Sequence, residues 1–284
     1  MKIRKFLTNS VVHVVLGILS FIWILPIVFA LLTSFRAESG SVKSYIIPKQ
    51  FTLSNYTSLF SVSVGGLTYA RWFANTFVVA VFSCILSAFF ILSVSYALSR
   101  MRFRMRKPFM NLALILGMFP GFMSMIAVYY ILKGFGFLET GLTSLLALIL
   151  VYSGGAGLGF YVTKGFFDTI PKSLDEAAYL DGCTNWQVFT KITLPLSKPI
   201  AVYTLITSFM APWTDFIFAR VILGQNREYY TIAIGLWTML EREFIETYYT
   251  QFFAGCVLIS IPIAGLFLLT QKFYADCMAG AVKG

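Results

Sequence analysis

The chain has 284 residues, of which 58% are hydrophobic and only 12% are charged, and its formal net charge is +10. A soluble domain carries about 25% charged residues, so this composition excludes an ordinary soluble protein. The basic surplus does not indicate nucleic-acid binding, because in a membrane protein it mainly reports topology. Four scattered cysteines and a single histidine, His13, suggest no zinc site, disulfide framework or histidine catalysis.

The first predicted element is a membrane span that begins near the amino terminus. Basic residues at positions 2, 4 and 5 precede an apolar run from Val11 to Leu32, which resembles a secretory signal. The run is too long for a signal, however, and no small-residue cleavage site follows it. We therefore expect a retained spanning helix.

Hydropathy predicts an all-α membrane protein with six spanning helices, since each span needs about 20 mostly apolar residues. Such long apolar runs exclude a transmembrane barrel. Fourteen of the 22 Lys and Arg residues fall in alternate connections, most densely in "SRMRFRMRK" at 99–107, so both termini are predicted to be cytoplasmic. The sequence shows no inverted pair of broken helices. The predicted spans are 11–33, 73–98, 109–132, 142–165, 201–223 and 252–272.

A polar segment interrupts this pattern between the fourth and fifth spans. Ser173 followed by Glu176 predicts a capping box at a helix start, and Gly182 is placed to end that helix. Thr184 followed by Gln187 predicts a second capped helix, which should finish before Pro195. This segment is therefore predicted to form two short helices joined by a glycine corner, here called the knob, on the cytoplasmic face.

The surface of the knob favours a protein partner over lipid. Trp186, Phe189 and Ile192 recur every three residues and predict one apolar ridge. Four acidic residues oppose three basic ones over 167–200, whereas a helix that lies on anionic lipid is rich in Lys and Arg. A loop packed on its own helical bundle remains the alternative.

The stretches "EAAYLDG" and "ITLPLSKP" resemble the cytoplasmic loop of permease subunits of binding-protein-dependent ABC importers. Only Cys183 departs from this pattern, at a place where a small residue, usually Ala, is expected. Further stretches resemble the second membrane subunit of maltose and maltodextrin transporters: "TKGFFDTIPKSLDEAA" (163–178), "MFP" (118–120), "YTIAIGLW" (230–237) and "AGAVKG" (279–284). The positions that match the loop pattern are Glu176, Ala177, Ala178, Asp181, Gly182, Leu194 and Pro195.

This resemblance implies a type I ABC importer permease, and thus a transport pathway rather than an enzyme. The loop would be a coupling helix seated in a cytoplasmic ATPase, with Trp186 and Phe189 added to the matched residues as contacts. The implied partners are a second permease, two ATPase subunits and an extracytoplasmic sugar-binding protein, in the cell membrane of a prokaryote. The sequence itself contains no G-x-x-x-x-G-K-[ST] phosphate cradle, so ATP and Mg²⁺ would be bound by the ATPase and no cofactor by this chain.

Three domains are expected from the spans and the resemblance. Residues 1–70 form the first span with an outer loop, residues 71–273 a five-helix core that includes the coupling loop 166–200, and residues 274–284 a cytoplasmic tail. In similar subunits such a tail reaches between the ATPases, whereas a frayed terminus is the alternative.

Five residues are candidates for the substrate pathway. Insertion of a carboxylate at the centre of a membrane span costs about 2.5–3.5 kcal/mol of free energy, so an acidic residue in the fifth span needs a hydrogen-bonding partner or a water-filled cavity. A sugar pathway and a structural hydrogen bond to a neighbouring helix are both open. Aromatic faces suit the apolar faces of sugars. The candidates are Phe122, Tyr129, Tyr130, Trp213 and Asp215.

The loop 224–251 is predicted to face outside. In similar subunits this loop enters the cleft of the binding protein and helps to expel its sugar, which would make Trp237, Glu241 and Glu243 contact residues. The alternative is an interfacial helix anchored by Trp237 and two tyrosines.

Two other classes of function compete with the importer. An ion-coupled secondary transporter of a small polar solute would need buried ionisable residues, for which Asp215 is the one clear candidate. A membrane enzyme is disfavoured, because no nucleophile–base pair or metal cluster is visible. A maltodextrin-like oligosaccharide is the expected substrate on the resemblance alone.

Overall fold

The computed structural model describes the backbone of residues 2–41, 45–61, 63–64, 66, 68–154 and 157–282, and side chains within 12–41, 45–61, 63–64, 66, 68–154 and 159–273. These residues are helical apart from turns, loops and one isolated bridge between Arg36 and Phe51. The helices that precede the knob are α1 (Lys2–Ser34), α2 (Ser54–Ser61), α3 (Tyr69–Arg100), α4 (Arg106–Met118), α5 (Gly121–Gly134), α6 (Gly141–Gly154) and α7 (Gly157–Asp168).

The knob and the remaining helices complete the chain. The knob extends from 172 to 196 and includes a π-helical segment, Phe189–Thr193. A 3₁₀ turn, Arg227–Tyr229, lies in the loop after the fifth predicted span. The helices are α8 (Lys172–Leu180), α9 (Asn185–Val188), α10 (Leu194–Leu196), α11 (Lys198–Thr214), α12 (Ile217–Leu223), α13 (Ile232–Thr238) and α14 (Ile245–Val282).

Four of the predicted spans are confirmed as long apolar helices. By length and composition, the described residues contain four helices able to cross a membrane, or up to six if each of two bent pairs is one span. The exposed apolar side chains of α1 fit a lipid-facing helix, because lipid replaces the protein contacts that a soluble helix needs. The four helical ranges are Val12–Ser34, Tyr69–Arg100, Gly141–Asp168 and Ile245–Phe273.

The third predicted span is not one continuous helix, so that prediction is wrong in its geometry. Helices α4 and α5 meet at an angle of 106° across Phe119 and Pro120. A proline disfavours the α region for the residue before it, and Phe119 adopts ψ 139°. The "MFP" stretch is therefore a sharp bend, which an average of hydropathy over the span does not detect.

The fifth predicted span, 201–223, is also divided. Helix α11 ends at Thr214 and α12 begins at Ile217, with Asp215 extended at ψ 115°. Pro212 lacks an N–H and weakens the last turn of α11. The Asp215 carboxylate then accepts the backbone N–H of Phe218 at 3.1 Å and so caps the start of α12. Two of the six predicted spans, the third and the fifth, are therefore broken helices.

The chain divides into two compact units, and the first comprises residues 1–69 and 235–262. Its loop after α1 is held by Asn55, whose amide donates to the carbonyl oxygens of Ser34 at 2.9 Å and Arg36 at 2.8 Å. The Asn55 carbonyl oxygen accepts from Thr250 at 3.0 Å, which ties this loop to α14. The predicted division at residues 70 and 273 stays a prediction.

The second unit comprises residues 70–234 and 263–284. Small polar side chains on α3 contact α6 and α7: Ser87 donates to the carbonyl of Tyr152, and Ser95 to that of Phe160, each at 3.1 Å. A Cβ on Gly159 would lie 3.3 Å from Ile91, so this glycine allows close helix packing. The neighbouring glycines at 155 and 157 lie outside the described side chains.

Candidate functional site

The first helix of the knob begins two residues earlier than predicted. Helix α8 starts at Lys172 after Pro171, whose backbone is extended and whose carbonyl receives the N–H of Leu174. Ser173 therefore has helical backbone and makes no cap, so the predicted capping box with Glu176 is wrong. Proline already has the φ value needed at a helix start, which allows the helix to begin before the serine.

The glycine corner is confirmed. Gly182 has a φ of +82°, which an L side chain rarely adopts. The N–H of Gly182 bonds to the Tyr179 carbonyl at 3.0 Å and that of Cys183 to the Ala178 carbonyl at 2.9 Å, as in a Schellman motif. No atom lies within 4 Å of a Cβ built on Gly182, so the backbone conformation alone requires glycine here.

The second capping box is also confirmed. The Thr184 hydroxyl accepts the N–H of Gln187 at 3.3 Å, while the Gln187 side chain accepts the N–H of Thr184 at 2.8 Å. Tyr179 donates to the Asn185 side chain at 2.8 Å and so links the two helices of the knob across the corner. The knob is thus fixed locally by its own polar side chains.

The second helix does not stop before Pro195, which corrects that prediction. The chain widens to a π-helix over Phe189–Thr193, with the N–H of Leu194 bonded to the Phe189 carbonyl, and it continues to Leu196. A π segment changes the spacing of the carbonyls in the turn before the proline, where the ring would otherwise clash. The chain then turns by 84° at Ser197 into α11.

One face of the knob is packed on the chain's own helices. Val188 is fully buried and Phe189 is 6% exposed, with the Phe189 ring 4.8 Å from that of Tyr96 in α3. These rings belong to a hydrophobic cluster with Phe167, Ile170 and Ile200. The alternative of a loop packed on its own bundle is therefore correct for this face.

The corner of the knob and the start of its second helix are exposed. Trp186 is 64% exposed and Leu180 at the corner is 89% exposed, although both are large apolar side chains. The rings of Trp186 and Phe189 lie 5.6 Å apart, so this part of the predicted apolar ridge is present, but Phe189 is buried and only Trp186 of the two is exposed. Of the residues that match the importer pattern, Ala178 is buried and Leu194 is half-buried. Those exposed are Glu176, Ala177, Asp181, Gly182 and Pro195.

Sequence reasoning missed a buried ion pair behind the knob. The Nε atom of Arg100, at the end of α3, lies 3.2 Å from Oδ2 of Asp175 in α8, and both side chains are more than nine-tenths buried. In the sequence, Arg100 served only as one of the basic residues that predict topology, and Asp175 only as one of the four acidic residues of the segment 167–200. No local pattern joins two residues so far apart, so only the fold could show the pair.

The five candidates for the substrate pathway occupy different environments. Phe122 and Tyr130 are exposed and Tyr129 is half-buried, while Trp213 is buried against the rings of Phe73 and Phe209. Asp215 accepts a hydrogen bond from the Tyr152 hydroxyl at 2.6 Å. The expected partner of the carboxylate is therefore present, while a role in substrate passage stays a prediction for all five.

The candidates for contact with a binding protein lie near the start of α14. Trp237 is 52% exposed, Glu243 is exposed and Glu241 is half-buried. Their role stays a prediction. The tail at 279–284 lies outside the described side chains.

Comparison with known proteins gives the same family along most of the chain. The family model described as "Binding-protein-dependent transport system inner membrane component" matches residues 89–275. The galactooligosaccharides transport system permease protein GanQ of Bacillus subtilis is 34% identical, over 100% of this chain and 99% of its own length. The maltodextrin transport system permease protein MalD of Streptococcus pneumoniae is 31% identical, over 100% and 98%.

Solved structures share the fold. A chain of a bacterial ABC transporter involved in the import of the acidic polysaccharide alginate superposes with a TM-score of 0.78 at 22% identity, covering 94% of this chain and 96% of its own. A chain of the alginate transporter in complex with an alginate pentasaccharide-bound periplasmic protein gives 0.66 at 17% identity, covering 94% of each chain. At such identities the likeness shows the fold alone.

Proposed function

The chain belongs to the family of binding-protein-dependent transport system inner membrane components, and from this premise we propose that its knob couples a separate ATPase to oligosaccharide import. As a sugar permease of the ABC importer class, the chain is a multi-pass membrane component of a transporter and not an enzyme. Family membership leaves two questions open: which surface of the chain contacts the ATPase, and which sugar is transported.

The exposed face of the knob is the observation that carries the proposal. A helix corner with Leu180 89% exposed and Trp186 64% exposed presents apolar area that an unpartnered water-facing loop would not favour. The buried side of the knob is anchored on α3, so a force applied to the knob can be transmitted to a spanning helix. Since the sequence has no phosphate cradle, ATP and Mg²⁺ would act on the partner.

The proposed assembly contains a second permease, two ATPase subunits and an extracytoplasmic binding protein in the membrane of a prokaryote. The knob and both termini would face the cytoplasm, in line with the basic run at 99–107. The loop that contains Trp237, Glu241 and Glu243 would meet the binding protein outside. One solved relative forms a complex with a periplasmic protein, which supports this kind of partner.

We propose a neutral oligosaccharide as substrate, with maltodextrin and galactooligosaccharide as the two candidates. The relatives named for these sugars differ little in identity, at 31% and 34%. Uptake of labelled maltotriose and β-1,4-galactotriose in proteoliposomes of the complete transporter would separate the two. Competition by the unlabelled sugars shows which one the assembly prefers.

The energy source decides between the proposed importer and the ion-coupled alternative. The break at Asp215 is a feature that a secondary transporter would also show, but the family and the exposed knob favour ATP. Vesicles of the complete transporter should import sugar when ATP is supplied to the ATPase side. Uptake driven by a proton or sodium gradient without ATP would overturn the proposal.

A further inference from the structure

The last two turns of α3 present one face to the knob. Leu92, Tyr96, Ser99 and Arg100 follow each other at helical spacing of four, three and one residues, so they lie along one side of the helix. Leu92 and Tyr96 supply the apolar part of this face, within the cluster that contains Phe189. The remaining contacts are polar, and they connect α3 to three different places in the chain.

Arg100 makes the central connection. Its Nη2 atom donates to the carbonyl oxygens of Phe167 at 3.0 Å and Ile170 at 2.9 Å, while Nε forms the ion pair with Asp175. Phe167 lies in the last turn of α7, where carbonyls lack helical partners, and Ile170 lies in the connector to the knob. One guanidinium therefore holds the end of α7, the connector and α8 together.

Two flanking bonds extend this connection. The Ser99 hydroxyl donates to Oδ1 of Asp168 at 2.6 Å, at the end of α7. The Tyr96 hydroxyl donates to the carbonyl of Asn185 at 3.2 Å, in the second helix of the knob. Both helices of the knob are thus bonded to the same end of α3.

The connection from the knob to α11 differs from its contacts with α3. The chain leaves through Ser197, where it turns by 84° before α11 begins. A break between helices can change its angle, because backbone dihedrals absorb rotation there. The knob is therefore tied by buried polar bonds on the α3 side and joined through a bend on the α11 side.

We propose that Arg100 is a positioning residue that makes the knob and α3 move as one body. The inference rests on the proposed coupling function and deepens it: displacement of the knob by the ATPase is delivered to α3 through Arg100, while the bend at Ser197 absorbs the change toward α11. An apolar contact alone permits sliding. The guanidinium group instead restricts sliding, since Nη2 is hydrogen-bonded to two carbonyl oxygens while Nε is held 3.2 Å from the Asp175 carboxylate.

A distance measurement on the assembled transporter tests the rigid link directly. Spin labels replace Ser173, exposed on the knob, and Phe89, exposed on α3, in a chain whose native cysteines are changed to serine. Electron–electron double resonance then compares the nucleotide-free and ATP-bound complexes. The wild-type distance should stay the same in both states, and Arg100→Gln should shift or broaden it in the presence of ATP.

A matched control distinguishes the loss of this link from the loss of a positive charge in the same region. Arg102 carries the same charge two residues further on but is exposed, so Arg102→Gln should behave as wild type. Arg100→Gln alone leaves Asp175 buried without its cation. Two further variants test the link without a buried unpaired charge: the double variant Arg100→Gln with Asp175→Asn, and the milder Tyr96→Phe. Arg100→Lys keeps the positive charge but not the planar guanidinium group, so it should preserve the link only in part.

The functional readout is the number of ATP molecules hydrolysed for each sugar imported. We expect this ratio to rise about tenfold for Arg100→Gln and the double variant, and to stay constant for Arg102→Gln. Recovery of the ATPase with each purified variant is measured in parallel. If the ATPase is retained while distance and ratio remain as in wild type, the link is overturned and the proposed function stands. If wild-type protein does not retain the ATPase, the proposed function fails, and the inference with it.

Discussion

The hydroxyl of Tyr152 donates a 2.6 Å hydrogen bond to the carboxylate of Asp215, which joins α6 to the break between α11 and α12. The other carboxylate oxygen accepts the backbone N–H of Phe218. Both oxygens therefore have donors, so the carboxylate is held without an ion pair. This arrangement satisfies the structural alternative raised for Asp215, and a role in substrate passage would be additional to it.

Tyr152→Phe separates the two roles of Asp215. Loss of the hydroxyl removes one of the two donors to the half-buried Asp215 carboxylate, and an unmade hydrogen bond costs about 1–3 kcal/mol, so the melting temperature in detergent should fall. If the carboxylate has only this structural role, the concentration of sugar that half-saturates uptake should not change. A raised half-saturating concentration, with little loss of stability, would instead place Asp215 in the sugar pathway.

Gly182→Val should uncouple ATP hydrolysis from transport. The corner requires a φ of +82°, and a left-handed residue other than glycine costs about 1–2 kcal/mol, more for a β-branched one. Hydrolysis and uptake measured in the same proteoliposomes give the coupling ratio. Gly182→Asn is the matched control, because asparagine tolerates this conformation. Normal coupling in the valine variant would show that the corner is not the coupling element.

Glu176→Lys should weaken recovery of the ATPase with the permease. Glu176 is exposed and makes no hydrogen bond or ion pair with the described part of the chain, so reversal of its charge should alter folding stability by less than about 0.5 kcal/mol. Glu139, an exposed acid before α6, offers the control Glu139→Lys. Equal recovery of the ATPase with both variants would contradict docking at Glu176.

Trp186 and Phe189 should respond to alanine in opposite ways. Phe189→Ala removes a buried ring and should destabilise the protein by about 3–5 kcal/mol. Trp186→Ala, at an exposed position, should leave the melting temperature almost unchanged and reduce ATPase recovery instead. Thermal unfolding and co-purification of the two variants provide the comparison. Retained ATPase binding with Trp186→Ala would remove this side chain from the docking surface.

Glu243→Lys should reduce stimulation of ATP hydrolysis by the sugar-loaded binding protein. Glu243 is exposed, and charges at the rim of an interface mainly affect the rate of association. The effect should therefore show as a higher concentration of binding protein at half-maximal stimulation, and it should diminish with added salt. An interfacial helix with no such contact would leave the stimulation curve of the variant unchanged.

Local signals in the sequence predicted much of this protein. Apolar length identified four spans, the left-handed requirement at Gly182 predicted the corner, and Thr184 with Gln187 predicted the second cap. Each rests on residues within a few positions of one another, which is why a single sequence contains it. The bend at Phe119 has a local signal as well, since Pro120 disfavours helical backbone there, but a hydropathy average does not register a change of direction.

Tertiary structure decided which side of each element is used. Trp186 and Phe189 are three residues apart on one side of a helix, yet one is exposed and the other buried, because α3 covers only part of that side. Asp175, which pairs with Arg100, and Tyr152, which donates to Asp215, lie on other helices, more than 60 residues away in sequence. Such pairs depend on how helices pack, and packing is a property of the whole bundle that no local spacing contains.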